Sequence, residues 1–78
     1  MSELTDTLVR CFAAVFPDLP PEEIPAASVD TVEEWDSLAS VTLLAVLDEE
    51  LGVEIDLADL PHLRSFQAVH DYVLARVP

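Results

Sequence analysis

The chain has 78 residues, enough for one domain around one small core, and a hydrophobic content of 51% is too high for a disordered acidic tail. Sixteen acids stand against three arginines and no lysine, a net charge of −13, which excludes nucleic-acid binding through a basic patch and disfavours anionic membrane surfaces. A single cysteine, Cys11, excludes an internal disulfide and any zinc set assembled from Cys and His.

The first helix is predicted over Glu3 to Phe16. Leu4, Leu8, Cys11, Phe12 and Val15 recur at three- and four-residue spacing on one face, with Glu3, Asp6 and Arg10 opposite. Cys11 lies inside that apolar stripe with no basic neighbour on its face, so it reads as a small buried hydrophobe and not as a reactive thiol. The apolar run Cys11 to Phe16 is too short to span a membrane, and no basic segment precedes it as a signal peptide would require. A reducing cytosol is the expected compartment.

Pro17 ends this helix, and Pro20, Pro21 and Pro25 bar a long helix from the loop that runs to Asp36. So long a loop in a small domain is expected to be functional or packed, and Leu19, Ile24, Val29 and Val32 are spaced to pin it to the core. Pro20-Pro21-Glu22-Glu23 suits one short turn.

The second helix begins at Asp36 or Ser37 and ends near Gly52, the only glycine and a natural left-handed terminator. Leu43, Leu44, Leu47 and Leu51 form its core side. Leu38, Thr42, Ala45 and Glu49 lie opposite, flanked by Val41 and Val46, a face too apolar to be merely solvated. The acids Asp48-Glu49-Glu50 fall in its last turns, where the helix dipole disfavours each by about 0.3–1 kcal/mol; attraction of basic partners would explain that placement. Asp56 then caps a short helix through Leu60, stopped near Pro61-His62, and Ser65 caps a last helix with Phe66, Val69, Val73 and Val77 buried. The expectation is an all-α fold, a small four-helix bundle of three main helices and one short one, in a single domain over residues 1–78.

Little catalysis is open to this chain. No phosphate loop or oxyanion turn can be built with one glycine, and the consecutive acids lack the alternating oxygen ligands of a calcium loop. His62 is expected at the surface, and His70, beside the last helix's stripe, is expected to make one local hydrogen bond. No metal site and no catalytic residue is predicted. Ser37 is the residue with a suggestive setting: a hydroxyl beside an acid at the positive end of a helix dipole, where an attached phosphate is favoured. Read alone, Asp-Ser before an apolar run is also an ordinary helix cap.

Trp35-Asp36-Ser37-Leu38, the run Val41-Thr42-Leu43-Leu44, the turn Asp48-Glu49-Glu50-Leu51-Gly52-Val53-Glu54-Ile55 and the closing Ser65-Phe66-Gln67-Ala68-Val69-His70-Asp71-Tyr72-Val73 together resemble the acyl and peptidyl carrier protein family. The resemblance covers about Val32 to Val77, with the first helix and proline loop agreeing in length and placement only. It implies that Ser37 carries 4′-phosphopantetheine, delivered from coenzyme A by a phosphopantetheinyl transferase with magnesium, and that Asp36 orients the transferase and its metal. It further implies that the terminal thiol holds an acyl or aminoacyl group as a thioester. Leu38, Val41, Ala45, Asp48, Glu49 and Glu50 occupy the positions where such carriers meet loading enzymes and downstream synthases. Glu34-Trp35 stands where many members have glycine, Ala39 and Thr42 replace acids common in the family, and His70 replaces an aliphatic residue. This form looks more like the discrete, monomeric carriers of polyketide, nonribosomal peptide and related specialised pathways than like those of fatty-acid synthesis. The rival readings are an unmodified acidic interaction module using the second helix's face and, further off, an anionic mimic of nucleic acid.

Overall fold

A computed structural model describes residues 3–76. Three α-helices carry the structure: α1 (Glu3–Val15), α2 (Ser37–Leu51) and α3 (Phe66–Leu74). Two six-residue 3₁₀ helices interrupt the connections, Pro21–Ala26 in the first loop and Leu57–His62 between α2 and α3. The expected short helix is therefore 3₁₀, and the single turn expected at Pro20–Glu23 is a second 3₁₀ helix. Prolines inside both segments, Pro25 and Pro61, remove a donor and keep each from lengthening into α-helix.

Leu8, Cys11 and Phe12 of α1, Leu43, Leu44 and Leu47 of α2, and Phe66, Val69 and Val73 of α3 meet in the core. Leu4, Val15 and Leu51, also expected inside, are only partly buried, and Val46 packs against the core instead of flanking the outer face of α2. Val77 lies outside the described residues. The aromatic side chains assemble around Phe12: Trp35 meets its ring edge-on at 5.4 Å and Phe66 at 5.0 Å, while Phe16 packs 5.7 Å from Trp35. Such tilted pairs satisfy the ring quadrupoles and add about 0.5–1.5 kcal/mol each beyond burial.

The long loop is packed as expected. Ile24, Ala27 and Val32 are buried, and Leu19 and Val29 rest against them. An isolated antiparallel bridge between Ser28 and Ser65 ties the loop to the start of α3, with Val29 N–H donating to the Arg64 carbonyl and Phe66 N–H to that of Ala27, both at 2.9 Å. At the far end of α2, Gly52 adopts a left-handed φ of 66° and its N–H donates to the Asp48 carbonyl at 2.8 Å, closing the helix.

Candidate functional site

The start of α2 is fixed from three directions. Trp35 is buried against Phe12 and Phe16, and its indole Nε1–H donates to Ser40 Oγ at 3.0 Å. Asp36 stays extended and its Oδ1 accepts the Ala39 N–H at 2.9 Å, while its carbonyl accepts the Ser40 N–H. With Trp35 turned inward and Asp36 capping, Ser37 falls at the first helical position and is exposed. Its hydroxyl makes no hydrogen bond among the described residues. The helix-start N–H groups of Ala39 and Ser40 are taken by Asp36, which leaves those of Ser37 and Leu38 without a hydrogen-bond partner among the described residues.

Beside Ser37 lies a groove of about 400 Å³. Trp35, Asp36, Ser37 and Ser40 line it from the α2 side, Leu57, Leu60 and Pro61 from the second 3₁₀ helix, and Val29, Leu63 and Arg64 complete the wall. The 3₁₀ wall has no fully buried residue of its own. It is held by Asp56 Oδ1, which accepts the Ala58 N–H at 2.9 Å, and by the Tyr72 hydroxyl, which donates to Asp59 Oδ2 at 2.5 Å. That hydrogen bond, ahead of partial desolvation, raises the Tyr72 phenol above its ordinary value.

Along α2 the residues expected at the partner face all reach solvent. Leu38 is 76% and Val41 46% exposed, with Ala45, Asp48 and Glu49 also exposed further along the helix. Thr42 Oγ1 donates back to the Leu38 carbonyl at 3.0 Å, so that hydroxyl is satisfied within the helix. Neither histidine joins the site: His62 is exposed, and His70 Nδ1 lies 3.2 Å from Asp71 Oδ1, the local partner expected of it.

The groove itself was not legible in the residues. Leu57 and Leu60 read as part of a short helix stopped near Pro61-His62, and nothing in their spacing places them, or Leu63 after them, beside Ser37. A leucine-rich segment broken by proline, with Leu57 and Leu60 on a 3₁₀ helix that buries none of its own residues fully, was the available signal.

The family model for the phosphopantetheine attachment site matches residues 6–73. The chain belongs to that family. It is a carrier protein bearing 4′-phosphopantetheine, and the match takes in most of α1 and the proline loop as well as the segments that carried the resemblance. No curated protein and no solved structure matches the chain. Carrier domains of this family are generally non-catalytic and are modified by phosphopantetheinyl transferases. The residues at the start of α2 fit the group: an exposed hydroxyl without an internal partner, free helix-start N–H donors, and a groove beside it. No helix among the described residues is long and apolar enough to cross a membrane.

Proposed function

We propose that Ser37 is the attachment point and that the chain, as one carrier domain, presents acyl or aminoacyl intermediates to the enzymes of a specialised biosynthetic pathway in the cytosol. The observation that carries the reading is the exposed, unbonded Ser37 hydroxyl at the first position of a helix whose start is locked by Trp35 and Asp36. In attachment, Ser37 Oγ forms a bond to the β-phosphorus of coenzyme A and gives up its proton. The pyrophosphate bond breaks and adenosine 3′,5′-bisphosphate leaves. Asp36 stands next to the reacting oxygen with one carboxylate oxygen committed to Ala39, and its negative charge favours the approach of a transferase-held magnesium ion. Once attached, the group supplies a thiol able to hold cargo as a thioester.

Leu38, Val41 and Ala45, with Asp48 and Glu49 beyond them, form the docking face in this reading. The apolar residues give contact and the acids steer basic partner surfaces. Ala39 and Thr42, standing where fatty-acid carriers commonly have acids, support assignment to a polyketide, nonribosomal peptide or related assembly system. Intact mass after incubation with coenzyme A and a broad-specificity phosphopantetheinyl transferase tests the attachment. One phosphopantetheine per chain is expected, lost in Ser37→Ala; a Ser37→Ala chain that still gains the mass overturns the assignment.

A further inference from the structure

We propose that Arg64 is a positioning residue that pairs with the phosphodiester of the arm and turns the arm into the groove between α2 and the second 3₁₀ helix. The inference rests on Ser37 as the attachment point. The groove wall holds one cation and one anion, Arg64 and Asp36. The other two arginines are engaged elsewhere: Arg10 donates to Thr7 Oγ1 on α1, and Arg76 stacks 3.5 Å over the Tyr72 ring. Arg64 is rooted firmly and tipped loosely. Its carbonyl accepts the Val29 N–H at 2.9 Å, and it sits between buried Leu63 and the bridging Ser65. Its guanidinium is 65% exposed and meets only Asp30, at 4.0 Å, the outer limit of an ion pair, and that carboxylate is itself 86% exposed. So weak a contact between exposed groups contributes little and is readily exchanged.

A phosphodiester bonded to Ser37 Oγ brings a fixed negative charge into this groove, one bond from the wall. The neighbouring Asp36 repels it and Arg64 attracts it, and both effects favour an arm that lies in the groove on the Arg64 side rather than over Asp36. The guanidinium fork suits two phosphate oxygens at once, which Asp30 at its present distance does not match. At physiological ionic strength the screening length is about 8 Å, so an attraction across the groove persists there and fades toward 1 M salt, where the length is about 3 Å.

The experiment is NMR of the phosphopantetheinylated protein, reading the ³¹P resonance of the diester and the Nε–Hε resonance of Arg64, in wild type, Arg64→Gln, Arg64→Lys and Asp30→Asn. Intact mass of each sample comes first. A wild-type chain that gains no arm overturns this inference together with the Ser37 reading, whereas the spectra of a loaded chain bear on this inference alone. The expected results are an Arg64 Nε–Hε shift on loading, larger in Asp30→Asn where the competitor is gone. The ³¹P resonance should move in Arg64→Gln, be partly restored in Arg64→Lys, and lose its dependence on residue 64 in high salt. Arg64 is too exposed for these variants to unfold the chain, and Asp30→Asn leaves the arginine intact. A ³¹P resonance identical in all four loaded proteins at low salt overturns the proposal.

Discussion

Asp36 caps α2 through the 2.9 Å bond that its Oδ1 accepts from the Ala39 N–H, so the neighbouring Ser37 hydroxyl is not needed as a cap and stays open to the attachment proposed above. Ser37→Ala should therefore abolish modification with helical content by circular dichroism unchanged. Asp36→Ala should cost about 1 kcal/mol in denaturant unfolding, the usual worth of a cap, as well as slowing modification. Asp36→Asn, which retains an accepting oxygen but no charge, should keep the stability and lose the modification rate; equal rates for Asn and wild type would remove the carboxylate from the transferase's requirements. Trp35 is the hidden member of this group. Trp35 is 4% exposed, and Trp35→Ala should destabilise by about 3–5 kcal/mol and unsettle the start of α2 with it.

Elements with a period were readable, and elements made by distant partners were not. The stripes Leu8-Cys11-Phe12, Leu43-Leu44-Leu47 and Phe66-Val69-Val73 are helical spacing alone, and each is buried in the fold. The caps at Asp56 and Ser65 were visible as single residues before single helices and both make their bonds, while at the start of α2, where Asp36 and Ser37 were both open, the cap is Asp36. By contrast, Trp35 looked like part of a local motif, because its burial depends on Phe12 of α1 and Phe16 just after it, about twenty residues earlier in the chain. The Ser28–Ser65 bridge joins residues 37 apart with no pattern in either, and the first loop's 3₁₀ helix, Pro21–Ala26, runs on past the single turn expected at Pro20–Glu23. Gly52 was legible for a conformational reason, and its test is conformational too. Nothing lies within 4 Å of where a Cβ would stand, so Gly52→Ala should cost only the left-handed backbone penalty, about 1–2 kcal/mol, or roughly 4–16 °C in Tm for a domain of this size. On the opposite face of α2, Leu38→Ala should leave Tm nearly unchanged, given 76% exposure, yet weaken productive partner association in loading kinetics.

For the molecule as a whole, a charge of −13 on 78 residues is a standing self-repulsion, and it acts on stability and on encounter in opposite senses. Added salt should raise Tm by screening the acids from one another. The same salt should slow loading by a basic partner, chiefly through the association rate. Thermal melts and loading rates over one salt series check both; a Tm indifferent to salt would show that the acids are spaced too widely to strain the fold. At the alkaline end a second contribution enters. Burial, aided by Glu50 and opposed by Arg10, holds the Cys11 thiol above its ordinary value near 9.0. Its folded pKa is thus raised over the unfolded one, and the associated stability is present below the unfolded value and lost as pH rises through the folded one. Melts from neutral pH to above 9 should show wild type losing more stability than Cys11→Ala over that interval.

The same buried sulfur makes the chain its own spectroscopic blank. Cys11 is 2% exposed and lacks a thiolate at neutral pH, so the folded apoprotein should be nearly inert to maleimides. Loading then introduces one accessible sulfur, at the end of the arm. A thiol dye applied to native protein should count arms directly, acylation of the arm should silence it, and denaturant should reveal one further equivalent from α1. The time course of labelling on native protein would follow occupancy of the arm by cargo, with no mutation needed to clear the background.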